Sequence, residues 1–222
     1  MRLIFLGPPG AGKGTHAARC ADAWGIAHIS TGDLFRAEAK QNTALGRQLA
    51  GYMRQGVLVP DELVIALVLA RLTAADARAG FILDGFPRTL SQAEALDRAL
   101  VGQRLPLELV IHFATSQAVV VRRLSGRRIC RACGANYNVD TLRPAVAGRC
   151  DRCQAELHQR ADDLSETVLT RLEVYRQESA PVVEYYRSRG LLRDVSGDLE
   201  LAEMGQILTR LVRDEQLLHS AP

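Results

Sequence analysis

Five short segments rich in apolar β-forming residues recur along the chain, at residues 3–6, 27–30, 81–83, 109–113 and 191–195. The stretches between most of them have the apolar spacing of amphipathic helices. Strands that alternate with such helices predict an α/β fold, a doubly wound five-stranded parallel sheet. Ligands of such sheets bind at the carboxyl ends of the strands, so the loops that follow these segments are the candidate functional regions.

Two regions interrupt the alternation and are predicted to be insertions. Residues 31–60 are helical and polar, whereas residues 126–163 are rich in Cys, Arg and Gly. The core domain is then expected to comprise residues 1–30, 61–125 and 164–222. A helix is predicted for residues 165–189, and the segment beyond Val212 is expected to fray.

Composition narrows the class of protein. The chain has 222 residues, of which 47% are hydrophobic and 24% charged, as in an ordinary globular protein. A net charge of +3 is low for a DNA-coating surface. The longest apolar stretch, residues 63–70, is too short to span a bilayer, and no export signal is recognisable, so we expect a cytoplasmic protein without a membrane partner.

A glycine-rich loop, GPPGAGKGT at residues 7–15, separates the first predicted strand from a helical run. Its backbone N–H groups, the helix N-terminus and one lysine would bind the phosphates of a nucleoside triphosphate, whereas a purely structural turn is the alternative. Lysine occurs at only two positions in this arginine-rich chain, and one of them lies in this loop. The predicted phosphate ligands are Gly10, Ala11, Gly12, Lys13, Gly14 and Thr15.

Magnesium is expected to accompany the triphosphate. Gly14 stands where many phosphate loops have a magnesium-binding hydroxyl, so direct ligation by the loop is not expected. Asp84 ends a predicted strand and is the candidate carboxylate, acting directly or through water; a simple turn-forming role is the alternative.

A second phosphate-bearing substrate would need its own cations. Arg36 and Arg88 follow predicted strands and are expected in loops, where two guanidinium groups could bind one phosphate. The alternative for TGDLFR is a capped helix start, with Thr31 or Asp33 as the N-cap and Arg36 on a solvated face.

Four cysteines form a separate pattern. Cys130 and Cys133 are separated by sixteen residues from Cys150 and Cys153, a spacing typical of zinc ribbons. Four thiolates would complete the tetrahedron around Zn²⁺ and leave no position for water, which predicts a structural role. A redox pair, an iron site and free thiols are the alternatives.

These motifs together resemble the adenylate kinases of the nucleoside monophosphate kinase family. The resemblance rests on the phosphate loop, on TGDLFR at residues 31–36, on GVLVPD at residues 56–61, and on LDGFPRT at residues 83–89. It extends to both edges of the cysteine-rich segment, although residues 138–148 depart from the family pattern. It implies a P-loop core, an AMP-binding insertion at residues 31–60 and a mobile zinc lid at residues 126–163.

The resemblance also implies roles for individual residues. The AMP-binding residues would be Thr31, Arg36, Val57, Leu58, Val59, Gly85, Phe86, Pro87, Arg88, Gln92, Arg160 and Arg171. Further ATP-binding residues would be Arg127, Asn136, Tyr137 and Leu199. The cations expected to stabilise the transferring phosphoryl group are Lys13, Arg88, Arg123, Arg160 and Arg171.

The implied reaction is reversible phosphoryl transfer from Mg-ATP to AMP by a monomeric enzyme. UMP/CMP kinases and GTP:AMP phosphotransferases share most of these motifs and remain alternatives. A zinc-ribbon protein that binds nucleic acid is an alternative of a different class.

Overall fold

A computed structural model describes residues 1–41 and 43–220. The strands are β1 (Arg2–Leu6), β2 (Ala27–Ser30), β3 (Phe81–Asp84), β4 (Leu109–Ala114), β5 (Arg127–Cys130), β6 (Asn136–Asn138), β7 (Leu157–His158) and β8 (Leu192–Ser196). The α-helices are α1 (Lys13–Trp24), α2 (Thr31–Lys40), α3 (Ala44–Gln55), α4 (Asp61–Leu72), α5 (Leu90–Gly102), α6 (Gln117–Gly126), α7 (Ser165–Val174), α8 (Ala180–Ser188) and α9 (Leu201–Ser220). A π-helical turn, Tyr175–Ser179, joins α7 to α8, and 3-10 turns occupy Ala75–Ala79 and Ala161–Asp163.

The main sheet confirms the predicted fold class. Its five parallel strands lie in the order β2-β3-β1-β4-β8, and each predicted strand matches an observed one with ends that differ by no more than one residue. Strand β1 lies at the centre of the sheet, so its apolar run is covered on both faces. Ile4 and Leu6 join the core on one face, and Leu3 and Phe5 join the core on the other.

The helices end where the sequence supplies a terminating residue. Gly25 and Gly56 close α1 and α3 in the left-handed conformation, which glycine adopts without strain. Helix α9 extends to Ser220 and so includes most of the segment beyond Val212 that is expected to fray. None of the helices within residues 1–41 and 43–220 is both long and apolar enough to cross a membrane.

Two groups of elements stand outside the main sheet. Helices α2 and α3 pack against each other between β2 and α4. Strands β6, β5 and β7 form a small antiparallel sheet that holds the cysteines. The carboxyl ends of β1, β2 and β3 meet at one edge of the main sheet, because the three strands are parallel neighbours.

Candidate active site

The phosphate loop connects β1 to α1 through backbone that favours glycine. Gly7, Gly10 and Gly12 have φ values of 139°, 80° and 94°, and Gly12 is the N-cap of α1. No side chain caps the first N–H groups of this helix among the residues described. These N–H groups and the positive end of the helix dipole are therefore available to an anion.

Lys13, the first residue of α1, is held over this loop. Its Nζ donates hydrogen bonds to the carbonyl oxygens of Gly7 at 2.7 Å and Pro8 at 2.8 Å. Burial lowers the pKa of Lys13 to about 8; the nearby Asp84 opposes this shift, and Arg88 and Arg171 add to it. Several cations therefore repel one another at this point, and a bound polyanion would relieve the repulsion.

Asp84 is the last residue of β3 and faces the phosphate loop. Burial would raise its pKa, but the neighbouring His28 and Lys13 hold the pKa below its ordinary value, so the side chain is a carboxylate. A Cβ on Gly14 would lie only 2.9 Å from Asp84 Oδ2. The departure from the common loop pattern at Gly14 thus has a physical reason: the carboxylate occupies the space that a side chain would need.

Arg88 lies in the loop between β3 and α5, as expected. Its Nε donates to the carbonyl oxygen of Gly85 at 2.8 Å, and its backbone N–H donates to Gln92 Oε1 at 2.8 Å. Burial and, next in size, the like charge of Arg171 lower the pKa of Arg88 to about 10. The guanidinium group is oriented by a neutral carbonyl and keeps its charge for a ligand.

Arg36 is placed differently from the expectation. It lies within α2 rather than in a loop, because Ser30 caps this helix immediately after β2 by accepting a hydrogen bond from the N–H of Asp33. Arg36 Nη2 binds Asp33 Oδ1 at 2.6 Å. The side chain nevertheless borders the same cavities as Arg88.

Two spaces that share several lining residues lie at the carboxyl edge of the sheet. The larger is a cleft of about 540 Å³ bordered by the phosphate loop, Asp84, Arg88 and the cysteine-rich segment. The smaller, about 70 Å³, is bordered by α2, the end of α3 and the start of α5. Nine of the residues predicted to bind AMP line the smaller space: Thr31, Arg36, Val57, Leu58, Val59, Gly85, Arg88, Gln92 and Arg171.

The other three residues predicted to bind AMP lie elsewhere. Pro87 and Arg160 border the larger cleft, whereas Phe86 is fully buried in the core and borders neither space. Phe86 is therefore in the core beneath the site. The side chain of Gln92 is buried and constrained: its amide donates to Asp61 Oδ1 at 2.6 Å, and its oxygen accepts from Arg88.

Arginines at the base of the small sheet are paired with aspartates. Arg127 binds the buried carboxylate of Asp163 through Nε and Nη2, with the Nε contact at 2.7 Å. Arg171 Nη1 lies 3.0 Å from Asp162 Oδ2 and 3.4 Å from Asp163 Oδ1. Both guanidinium groups border the larger cleft, so they reach the site as members of ion pairs.

Arg160 and Arg123 also border the larger cleft. Arg160 Nε is buried and has no hydrogen-bond partner among the described residues, and burial together with Arg127 lowers the pKa of Arg160 to about 10. Arg123 donates to the carbonyl oxygens of Gly197 at 2.6 Å and Leu199 at 3.1 Å. An unsatisfied buried donor is costly, and a phosphate oxygen would satisfy it.

The residues predicted to bind ATP border the larger cleft: Gly10, Gly12, Lys13, Gly14, Thr15, Arg127, Asn136, Tyr137 and Leu199. Ala11 is the exception, since it is buried beneath the loop. Tyr137 has little polar capacity left, because its hydroxyl accepts the N–H of Asp151 at 2.8 Å and lies 3.5 Å from Cys150 Sγ.

The four cysteines converge as their spacing predicts. The sulfur atoms of Cys130, Cys133, Cys150 and Cys153 all lie within 4.8 Å of one another, and none forms a disulfide. A tetrahedral zinc ion with Zn–S bonds of 2.3 Å would place sulfurs about 3.8 Å apart, so the cluster fits such an ion. The cluster can hold a metal, and its ligands would all be thiolates.

Three residues of the site were not singled out from the sequence. His28 Nε2 lies 3.5 Å from Asp84 Oδ2 at the border of the larger cleft. Asp162 and Asp163 bind the arginines at the base of the small sheet. The alternation of buried and half-buried residues in β2 could have drawn attention to His28, but the ion pairs join segments whose contact no local pattern predicts.

The parallel sheet, the phosphate loop and a two-part cleft lined by cations define a P-loop phosphotransferase with sites for two phosphate-bearing ligands. A family model described as "Adenylate kinase" matches residues 5–191. The adenylate kinase of Moorella thermoacetica is 53% identical over 197 residues, which is 89% of this chain and 91% of that protein. Those of Carboxydothermus hydrogenoformans and Alkaliphilus oremlandii are each 50% identical, over 92% and 96% of this chain and 95% and 100% of those proteins. The chain belongs to the adenylate kinase family.

Proposed function

We propose that the chain transfers the γ-phosphoryl group of Mg-ATP to AMP, reversibly giving two ADP, and that the cations of the cleft are its catalytic groups. The observation that carries this proposal is the convergence of Lys13, Arg88 and Arg171 on one cleft, where Arg88 and Arg171 lower the pKa of Lys13 and Arg171 lowers the pKa of Arg88. The neighbouring aspartates offset only part of this positive charge, and two nucleotide phosphate groups would supply the remaining counterions.

On the donor side, the N–H groups of the phosphate loop and Lys13 bind the β- and γ-phosphates. Asp84 holds the magnesium ion, directly or through water, and the ion supplies charge neutralisation to the donor phosphates. Because Gly14 lacks a hydroxyl, Asp84 is the candidate that the chain offers nearest to the loop. Asn136, Tyr137 and Leu199 border the nucleoside part of ATP.

On the acceptor side, Arg36 and Arg88 bind the AMP phosphate, and the segment from Val57 to Val59 borders the base. The acceptor phosphate is already an anionic nucleophile, so the reaction requires positioning and charge stabilisation rather than a strong base. Arg88 lies beside both spaces, between donor and acceptor. Its proposed role is to stabilise the transferring phosphoryl group together with Lys13, Arg123, Arg160 and Arg171.

The chain is divided in this proposal into a core, residues 1–30, 61–125 and 164–222, an AMP-binding insertion, residues 31–60, and a lid, residues 126–163. Closure of the lid would bring Arg127 and Arg160 against the phosphates beside Arg123, which stands at the edge of the lid, and would exclude water that would otherwise hydrolyse ATP. The unsatisfied Arg160 Nε supports this role.

We propose structural zinc at the four cysteines. Elemental analysis of the purified protein should find about one zinc per chain, and iron in its place would contradict the proposal. Chelation, or Cys130→Ser with Cys133→Ser, should lower the melting temperature while phosphoryl transfer at low temperature stays largely intact. An unchanged melting curve would count against the site.

A coupled assay tests the substrate assignment. ATP and GTP are compared as donors with AMP, UMP, CMP and GMP as acceptors, and ATP with AMP should be the preferred pair. Preference for UMP or CMP, or for GTP as donor, would support the sister kinases instead, and no turnover with any pair would favour a nucleic-acid-binding role. A monomer in size-exclusion chromatography and a cytoplasmic location remain predictions.

A further inference from the structure

The side-chain amide of Gln92 is held at both ends by groups whose hydrogen-bonding polarity is fixed. Its Nε2 donates to Asp61 Oδ1 at 2.6 Å, and its Oε1 accepts from the backbone N–H of Arg88 at 2.8 Å. An ionised carboxylate can only accept and a backbone N–H can only donate, so each contact by itself specifies which end of the amide is the oxygen. The two contacts agree on one orientation of the amide.

Asp61 is itself fixed by a further contact. It is the first residue of α4 and directly follows the insertion at residues 31–60, and its Oδ2 accepts from the hydroxyl of Thr89 at 2.7 Å. That hydroxyl accepts the backbone N–H of Gln92 at 3.2 Å, since Thr89 is the N-cap of α5. The Asp61 carboxylate therefore joins the start of α4 to the start of α5, and each of its oxygens accepts a hydrogen bond.

The amide keeps half of its hydrogen-bonding capacity for a ligand. A side-chain amide has two N–H donors and two carbonyl lone pairs, and Asp61 and Arg88 use one of each. Gln92 borders the smaller space of the site, whereas Asp61 borders neither space. The remaining N–H and lone pair of Gln92 can reach a base in the smaller space, and Asp61 can act on that base only through Gln92.

Two purine bases of the same size differ in polarity along the edge that such an amide would contact. Adenine presents its 6-amino donor beside the N1 acceptor, whereas hypoxanthine presents a 6-carbonyl acceptor beside an N1–H donor. An amide held in one orientation complements only one of these patterns, whereas an amide that can turn over complements both. Because the shapes of the two bases are alike, the orientation of the amide is what can distinguish them.

We propose that Asp61 is a positioning residue that makes the acceptor site selective for a 6-aminopurine over a 6-oxopurine, by holding the Gln92 amide in one orientation. The inference rests on the proposed function, in which AMP is the acceptor and its base lies in the smaller space. Turning the amide over would place Oε1 against the Asp61 carboxylate and Nε2 against the N–H of Arg88, so both contacts would become repulsive.

The test is the ratio of kcat/KM for AMP to kcat/KM for IMP, the nucleotide of hypoxanthine, with ATP as donor. Asp61→Asn keeps the size of the side chain, but its own amide can offer Gln92 either an oxygen or an N–H. The ratio should therefore fall about tenfold, mainly through the two KM values, with little change in kcat for AMP. An unchanged ratio would overturn the inference. Partial unfolding would not imitate the effect, because it lowers both rates equally.

Gln92→Met separates this inference from the proposed function. It removes the amide, so the ratio should fall at least as far as in Asp61→Asn, and addition of Asp61→Asn should lower the ratio no further. If Gln92→Met leaves the ratio unchanged, the placement of the base in the smaller space is wrong, and the inference fails with it. If Gln92→Met lowers the ratio and Asp61→Asn does not, only the role of Asp61 is overturned.

Glu62→Gln is the matched control. Glu62 is exposed and stands beside Asp61 in the first turn of α4. This variant removes the same charge from the same end of the helix but keeps the carboxylate that binds Gln92, so it should retain the wild-type ratio. A fall as large as that in Asp61→Asn would assign the effect to charge at the helix terminus and contradict the role of Asp61.

A measurement on the wild-type protein keeps the inference testable if Asp61→Asn does not fold. With AMP bound, a nuclear magnetic resonance coupling across the hydrogen bond should connect the Arg88 backbone nitrogen to the side-chain carbonyl carbon of Gln92. Only one orientation of the amide places its oxygen at this N–H. Absence of the coupling would show that the amide is not held in that orientation, and the inference would be wrong.

Discussion

The floor of the cleft and the base of the lid both contain cations, but they hold them by different means. On the floor, Lys13, Arg88 and Arg123 donate to backbone carbonyl oxygens. At the base of the lid, Arg127 and Arg171 bind the carboxylates of an aspartate pair. A carbonyl orients a cation without neutralising it, whereas a carboxylate neutralises it.

This difference indicates a division of labour. Lys13, Arg88 and Arg123 form an anion site before substrate arrives, which is the preorganisation that electrostatic catalysis needs. The ion pairs stabilise the junction between the lid and the core. Their arginines can bind phosphate only if each guanidinium group is shared between an aspartate and the phosphate. Changes to the cations of the floor should therefore reduce the rate, and changes to the two aspartates at the lid base should mainly reduce stability.

The largest effect is expected from Lys13→Met. Removal of this cation should lower kcat/KM for ATP by about a thousandfold, because it interacts with charge that develops during transfer. The melting temperature should not fall, since burial of the ammonium already disfavours its charged form. Lys40→Met, at the other lysine of the chain and on the surface of α2, is the control and should retain the wild-type kcat/KM.

Asp163→Asn should reduce the stability of the fold much more than the rate of phosphoryl transfer. Its carboxylate is fully buried and binds Arg127 and Arg171, so its neutralisation should lower the free energy of unfolding by about 3 kcal/mol. Urea denaturation measures this loss, and kcat should fall far less than in Lys13→Met. Asp76→Asn, which breaks an exposed pair with Arg71, should leave the urea midpoint unchanged. If Asp163→Asn were as stable as Asp76→Asn, the stabilising role of the aspartates at the lid base would be contradicted.

The pH dependence of ATP binding should report the protonation of Lys13 on the floor of the cleft. Lys13 carries its charge below its pKa of about 8 and loses the charge as pH rises through that value. Affinity for metal-free ATP should therefore fall about tenfold between pH 7 and 9, as calorimetry can measure. Asp84 raises the pKa of Lys13, so Asp84→Asn should move the midpoint to lower pH. A flat profile up to pH 10 would contradict this description of Lys13.

Gly14→Ala should have the smallest effect. The new Cβ would meet Asp84 Oδ2 at 2.9 Å and displace the carboxylate, so kcat should fall about fivefold with little change in folding. Gly51→Ala in α3 meets no atom within 4 Å and should keep the wild-type rate with slightly raised stability. Identical rates for the two variants would show that the position of Asp84 tolerates this displacement.

Much of this arrangement could be predicted from local sequence patterns. The five strands, the phosphate loop and the cysteine pairs each depend on residues that are close in sequence, and all of them are observed. Arg36 was expected in a loop because a strand precedes it, but the Ser30 cap starts α2 without any loop. Local spacing does not specify where a helix begins to within a residue or two.

Contacts between distant segments could not be predicted in the same way. The pairing of Arg127 with Asp163 joins positions 36 residues apart, and His28 approaches Asp84 only because β2 and β3 are neighbours in the sheet. Similarly, the hydroxyl of Tyr137 bonds within the cysteine-rich sheet, which the spacing of the cysteines did not indicate. Such contacts depend on how the segments are arranged in space, which local sequence patterns do not specify.

The central claim is that a cation oriented by backbone carbonyls carries the chemistry of the cleft, and Arg88→Ala tests it most directly. Rapid-quench measurement of a single turnover with saturating ATP and AMP isolates the transfer step, and urea denaturation follows folding in the same sample. Arg98→Ala, whose side chain is 73% exposed, is the matched control. We predict that transfer slows by about a thousandfold or more in Arg88→Ala with an unchanged urea midpoint. A near-normal transfer rate in that variant would contradict the account.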